Sequence, residues 1–232
     1  MNKHNIELDK VVKDFIAEHP HVLQSLITFV DRHPALNSVI PELMKLYIAT
    51  IKCFESGHKM YICGNGGSFS DAMHISGELM KSFIRSRKLS QEERDKFKGL
   101  PYGEELAKHL EHGFPVMVLG ANHSLFSALE NDVPMRYIGF SQELYSHAKA
   151  GDLFLGISTS GNARNVNYAV TVARAIGLKT ACLTGKLGGE LARSVDIAIK
   201  APAMRTSEIQ ELHLPIYHTF CEIIEAHYFG DK

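Results

Sequence analysis

Five short apolar runs, at residues 60–64, 116–120, 153–158, 180–185 and 197–201, alternate with longer amphipathic stretches and set the folding problem for this 232-residue chain. A strand with one wet face alternates apolar and polar residues; these runs do not, so each is a strand to be covered on both faces. The segments between them are long enough for crossover helices. The expected fold is therefore α/β, a three-layer sandwich around a five-stranded parallel sheet. Ligands of such sheets bind outside the carboxyl ends of the strands. That is where Gly64-Asn65-Gly66-Gly67-Ser68 and Ser158-Thr159-Ser160-Gly161-Asn162 fall. Each is a small polar loop between a strand and a helix, and each aims backbone N–H groups, hydroxyls and the positive end of a helix dipole at an anion. The paired glycines of the first loop permit close backbone approach. The hydroxyls of Ser158, Thr159 and Ser160 are also expected to serve as an N-cap cluster for the helix that follows.

Ahead of the first run, Val11, Phe15 and Ile16, then Leu43, Leu46, Tyr47, Ile51 and Phe54, recur at helical spacing, broken near Pro20 and Pro34. Residues 1–56 are expected to form an N-terminal helical extension. Its apolar face cannot be buried alone, so it packs on the core or on a neighbouring subunit. Residues 57–232 then make the main domain, with a charged excursion at 85–113. There Ser90-Gln91-Glu92-Glu93 is a capping sequence and a helical stretch occupies residues 104–111. A mixed-charge run of this kind is expected to be a solvated face.

Composition narrows the partners. The chain carries 25 Lys plus Arg against 26 Asp plus Glu, so nothing marks a nucleic-acid surface, and any anionic ligand should be small. Cys53, Cys63, Cys182 and Cys221 show no CxxC spacing and are expected to be structural thiols. Met1-Asn2-Lys3-His4-Asn5 leads into polar sequence without the apolar core of a signal peptide, and no apolar stretch is long enough to span a bilayer. A cytoplasmic protein with neither membrane nor nucleic-acid partner is expected.

Two polar pairs suggest a metal site. His74 and Glu78 are four residues apart, share one face of a helix, and can both address one ion or one reacting group. Alone, such a pair is more often a solvated i,i+4 contact; its place just after a phosphate-type loop reverses that preference. Gln210 and His218 form the second pair, with His213 between them as an equally visible histidine. Eight helical residues advance about 12 Å, so sharing one ion requires a kink at Pro215, a Gln210 that precedes the regular helix, or a Gln210 that serves another subunit. Asn131-Asp132, taken alone, is a helix-ending turn.

Taken together, these motifs resemble the sugar-isomerase (SIS) domain family, and within it the phosphoheptose isomerases. The resemblance extends over roughly residues 40–228. It is carried by Gly64-Asn65-Gly66-Gly67-Ser68, Asp71-Ala72-Met73-His74 with Glu78, Asn131-Asp132, Gly156 through Asn162, Leu183-Thr184-Gly185-Lys186, and Ile209-Gln210-Glu211 with His218. It implies a flavodoxin-like SIS fold and an aldose–ketose isomerase that converts sedoheptulose 7-phosphate to D-glycero-D-manno-heptose 7-phosphate through an enediolate. It also implies a homotetramer with active sites between subunits. By the same resemblance zinc is held by His74, Glu78, Gln210 and His218. The phosphorylated sugar is held by Asn65, Gly66, Gly67, Ser68, Glu78, Asn131, Asp132, Ser158, Thr159, Ser160 and Gln210. Glu78 is the expected base, with a pKa raised by partial desolvation, and His218 its acid–base partner.

The chain departs from the family at Ala163, where a hydroxyl is expected, at Ser82, where an arginine is common, and at Ser207, where an acidic residue is frequent. These positions surround the sugar, not the metal, so they bear on substrate identity before reaction type. An isomerase of another ketose phosphate is the nearest alternative. A non-catalytic phosphosugar sensor or a replication-initiator-binding SIS protein is a further one, which has no need of His74, Glu78, Gln210 and His218 together.

Overall fold

The computed structural model of the protein describes residues 10–230, without the side chains of residues 10–12, 15 and 21. The Met1-Asn2-Lys3-His4-Asn5 stretch and the Val11 and Phe15 side chains of the helical pattern lie outside the described residues. Strands β1 (Met60–Cys63), β2 (Val116–Val118), β3 (Leu153–Ser158), β4 (Lys179–Gly185) and β5 (Ile197–Ala201) occupy the five apolar runs. They pair in the order β2-β1-β3-β4-β5, all parallel. Side chains leave them alternately toward two cores. Met60, Ile62, Leu153, Leu155, Ile157, Ala181, Leu183, Ile197 and Ile199 face one; Tyr61, Cys63, Phe154 and Cys182 face the other. Double coverage is why the runs lack polar alternation.

The first core is met by α1 (Lys10–Glu18), α2 (Pro20–Arg32), α3 (Ile40–Glu55) and α4 (Gly67–Met80), among others. Pro20 occupies the first turn of α2, and Pro34 opens a 3-10 turn (Pro34–Val39) before α3. Both prolines thus divide the helical pattern where a missing N–H is tolerated. Ile16, Val22, Leu26, Phe29 and Val30 belong to the same core as the strands, so the N-terminal helices pack on their own sheet. The charged stretch holds two short helices, α5 (Gln91–Asp95) and α6 (Gly103–His109), and α5 has the reciprocal Ser90–Glu93 capping box. Next come α7 (His123–Asp132), α8 (Gly139–His147), α9 (Arg164–Ile176), α10 (Gly189–Ser194) and α11 (Thr206–Phe229). Helices α8, α9 and α10 cover the second core, and α11 lies on the first. The four cysteines are free and buried, and burial pushes the Cys182 thiol up to about 12. No helix among the described residues is long and apolar enough to cross a membrane.

Helices α4 and α11 run side by side in the same direction: Gly67 faces Gln210, Asp71 faces His213, and His74 faces Tyr217. Their far ends are joined by Arg87 and Glu225, both fully buried. Arg87 donates from Nε to Glu225 Oε1 (2.7 Å), from Nη1 to the Leu79 carbonyl (2.7 Å) and from Nη2 to the Glu78 carbonyl (3.1 Å). It thereby satisfies the carbonyls that end α4. Glu225 also accepts the N–H groups of Phe83, Ile84 and Arg85, each at 2.8 Å. The charged excursion is therefore not simply a solvated face: Arg87 is one of the largest fully buried side chains among the described residues.

Burial raises the Glu225 pKa, but three backbone N–H groups and the Arg87 guanidinium more than offset it and hold the carboxyl below its ordinary value. Glu225 therefore stabilises the fold above the unfolded glutamate pKa of about 4.3, and that contribution is lost as pH falls through its folded pKa. Glu225→Gln is expected to lower unfolding free energy in urea by about 3–5 kcal/mol at pH 7, with a smaller difference from the parent chain at pH 3.

Candidate functional site

The strand order reverses direction between β2-β1 and β1-β3, so the crevice above the carboxyl ends of β1 and β3 is the natural binding position of this sheet. Both predicted loops open there. Gly66, at φ +53° and ψ −121°, takes a backbone conformation that L side chains avoid. It lets the N–H groups of Phe69 and Ser70 turn back onto its carbonyl. The second loop is held from the β4–α10 side. Gly185 N–H donates to Thr159 O, Leu191 N–H to Gly161 O, and Glu190 N–H to Asn162 Oδ1, all at 2.9–3.0 Å. Helix α9 starts at Arg164 with Ala163 as its N-cap, so the Ser158, Thr159 and Ser160 hydroxyls do not cap it as expected. Ser158 is buried, and Ser160 is exposed with its Oγ accepting the Asn162 N–H.

The loops are tied to each other through Asn165, a residue that belongs to none of the motifs above. Asn65 and Asn165 exchange amide hydrogen bonds in both directions, at 2.9 and 2.8 Å. Asn131 and Asp132 close α7, are exposed, and bond to one another at 2.8 Å. Their helix-ending character is as expected, and no hydrogen bond joins them to the two loops.

About two turns into α4 the chemistry concentrates. His74 Nε2 lies 3.2 Å from Glu78 Oε1 and 3.4 Å from His218 Nε2. The two histidine rings meet edge to face at 4.9 Å. Helix α11 is continuous through Pro215, and Gln210 and His218 meet different turns of α4. Gln210 instead lies over the backbone of Gly67, so closely that a Cβ there would strike its amide. His213, between them, is fully buried with Nε2 3.3 Å from the Thr184 carbonyl. It is a core histidine.

Two neighbours tune this cluster. Tyr217, on an otherwise apolar stripe of α11, has its hydroxyl 3.0 Å from His74 Nδ1. Burial, then the Asp71 carboxylate, push the Tyr217 phenol up, so it stays protonated. When His74 Nδ1–H donates to the phenol oxygen, the Nε2 lone pair is left facing Glu78 and His218. Lys81 Nζ lies 2.9 Å from Glu78 Oε2. Burial raises the Glu78 pKa, but Lys81 and then His74 outweigh it and the net shift is downward. The raised value expected for this base is thus corrected: a half-buried carboxylate between an ammonium and an imidazole is a stable anion. His218 is held below the ordinary imidazole value by burial and by the His74 ring and Arg32, against the pull of Glu78. It is neutral at pH 7.

Two imidazole nitrogens and a carboxylate oxygen are the donor types zinc takes. Their 3.2 and 3.4 Å separations match the edge of roughly 3.3–3.4 Å of a tetrahedron with ligands about 2.0–2.1 Å from the ion. The donor chemistry fits the metal. Among the described residues, however, no group of three or more His, Cys, Asp or Glu is arranged as a preformed cation cage; the three side chains are drawn together by contacts with one another.

The SIS-domain family model matches residues 134–221, a span that contains the second loop, Gln210 and His218 but not the first loop, His74 or Glu78. A phosphoheptose isomerase of Aneurinibacillus thermoaerophilus is 31% identical over 95% of this chain and 98% of its own length. One of Helicobacter hepaticus is 35% identical over 82% of this chain and 84% of its own. The chain belongs to the phosphoheptose isomerase family. Among solved structures, the phosphoheptose isomerase of Neisseria gonorrhoeae superposes with a TM-score of 0.65 at 24% identity, covering 93% of this chain and 99% of that one. That of Francisella tularensis gives the same score and identity. The α/β sandwich with its five parallel strands is the fold of this phosphoheptose isomerase family.

Tyr217→Phe keeps the ring that packs in the core and removes the partner of His74 Nδ1. Loss of such a supporting hydrogen bond is expected to reduce turnover about 10–100-fold while the urea midpoint changes little. An unaltered rate would show that His74 needs no orientation from Tyr217.

Proposed function

We propose that this chain is a phosphosugar isomerase that interconverts sedoheptulose 7-phosphate and D-glycero-D-manno-heptose 7-phosphate, as a zinc-dependent cytoplasmic homotetramer. The observation that carries the chemistry is the meeting of His74 and Glu78, on the helix that follows a phosphate-type loop, with His218 of α11. Aldose–ketose isomerisation moves one proton between adjacent carbons and another between their oxygens. A base at carbon and an acid–base group at oxygen are both required.

The phosphate is held at the loops, by the Ser158, Thr159 and Ser160 segment and the backbone of residues 65–68, with Asn131 and Asp132 as further sugar contacts. Gln210, seated over Gly67, reaches the sugar from the α11 side. Glu78, anionic at neutral pH, takes the proton from C1 of the ketose. The electron pair left behind forms the C1–C2 double bond of the enediol, and the former carbonyl oxygen becomes the enediolate. His218, neutral, passes a proton from the C1 hydroxyl to the C2 oxygen, and Glu78 returns its proton to C2. Atoms and charge balance, and both side chains end as they began. His74, Glu78 and His218 would hold zinc, with Gln210 the fourth expected donor, and the ion would supply Lewis-acid polarisation of the carbonyl.

The purified chain is expected to form aldose from sedoheptulose 7-phosphate, with activity lost on chelation and restored by zinc. Glu78→Gln is expected to reduce kcat by about 10²–10⁴-fold with the assembly intact. Undiminished turnover in that variant would remove Glu78 as the base. Turnover of fructose 6-phosphate in place of the heptulose would assign the chain to another ketose phosphate. Lys81→Met removes the ammonium that lowers the Glu78 pKa, so the acid limb of the kcat/KM–pH profile is expected to move to higher pH.

A further inference from the structure

Four polar side chains form a square across the two parallel helices, and the site as described uses only one side of it. On α4, Asp71 and His74 are three residues apart; on α11, His213 and Tyr217 are four apart, so each pair shares a helix face. His74 meets Tyr217 through Nδ1 and the phenol, at 3.0 Å. Asp71 meets His213 less closely, with Oδ2 3.8 Å from Nδ1, roughly 1 Å beyond hydrogen-bond length. Both atoms are buried, and neither has a hydrogen-bond partner among the described residues. On its other edge the His213 ring is rooted in the sheet, with Nε2 3.3 Å from the Thr184 carbonyl near the end of β4. That carbonyl only accepts, so Nε2 carries a proton. One further proton between Nδ1 and Oδ2 satisfies both orphaned atoms, whichever of them holds it.

In either case the other carboxyl oxygen of Asp71 is left to accept from Tyr217, whose phenol it meets across the diagonal of the square. A hydroxyl has one proton to give. Given to Asp71, it leaves only lone pairs toward His74, so Nδ1 brings the proton to that contact and the Nε2 lone pair points at Glu78 and His218. Without Asp71 the phenol is free to turn its proton onto Nδ1. The proton of the neutral ring then sits on Nε2, where it blocks a cation. We propose that Asp71 is the positioning residue that fixes the His74 tautomer, acting through Tyr217 and held in place by His213. The assignment rests on the reading of His74 as a zinc donor. It gives a role to His213, the histidine between Gln210 and His218 that the reaction itself does not use.

A double-mutant cycle on zinc affinity tests this, with zinc binding to the full chain measured by competition with a chromophoric chelator and turnover of sedoheptulose 7-phosphate followed alongside. Alanine is the best helix former, so Asp71→Ala is expected to fold. Asp71→Ala and Tyr217→Phe are each expected to weaken zinc binding about 10–100-fold. The double variant is expected to bind no more weakly than the weaker single, because both substitutions break one line of contacts. Asp71→Asn keeps an acceptor toward Tyr217 and turns an amide N–H onto His213 Nδ1, so it is expected to bind zinc as the parent chain does. That variant carries the test if Asp71→Ala does not fold. Losses that add in the double variant, unchanged affinity in Asp71→Ala, or weakened affinity in Asp71→Asn would each overturn the assignment. Interdependent losses in a chain that does not turn over the heptulose phosphate would leave Asp71 in its role and remove the isomerase reading. A parent chain that binds no zinc would overturn both.

Discussion

The buried ion pair of Arg87 and Glu225 is the constraint on which the geometry of the site depends. It lies at the far end of the two parallel helices that carry the reactive side chains. Its guanidinium holds the terminal carbonyls of one helix while its carboxylate is rooted in the other. One of those carbonyls belongs to Glu78 itself, so the backbone of the proposed base is fixed by a contact invisible from the active-site side. A buried pair of this kind adds less net stability than its Coulomb energy suggests, because both charges have been taken out of water. Its contribution here is registry: it determines which turn of α4 faces which turn of α11. His74 accordingly meets Tyr217 and His218, not residues a turn away.

Registry also explains the division among the four expected metal donors. In two helices that run in the same direction, residues near the start of one meet residues near the start of the other. Gln210 is therefore paired with the loop end of α4 and His218 with its middle. A continuous α11 keeps the two on different turns, and Pro215 is accommodated inside it at the cost of one backbone hydrogen bond.

The strands were legible from sequence because complete burial leaves an unbroken apolar run, and the loops because glycine and hydroxyl residues cluster where strand gives way to helix. His74 and Glu78 were legible for a different reason: helical spacing is set by local geometry and needs no tertiary information. What escaped depends on contacts between distant segments. Arg87 sits in a mixed-charge stretch like many solvated ones, and only its partner 138 residues away makes it a core residue. Tyr217 is indistinguishable in sequence from its apolar neighbours on α11. The depressed pKa of Glu78 comes from Lys81, three residues on, which sequence shows but cannot aim. The hydroxyls after β3 do not cap α9 because that helix begins only at Arg164.

The reciprocal amide pair between Asn65 and Asn165 changes what recognition at the loops means. Each amide already gives and receives a hydrogen bond of ordinary length. A ligand that engages Asn65 therefore exchanges one set of bonds for another instead of creating new ones. The energy gained at that residue is the difference between two similar quantities, as in the displacement of a well-ordered water. Before any ligand arrives the pair clasps the loop after β1 to the start of α9, across the point where the sheet changes direction. Entry of a ligand at Asn65 would unclasp them, making the spacing of the two loops a variable that occupancy controls.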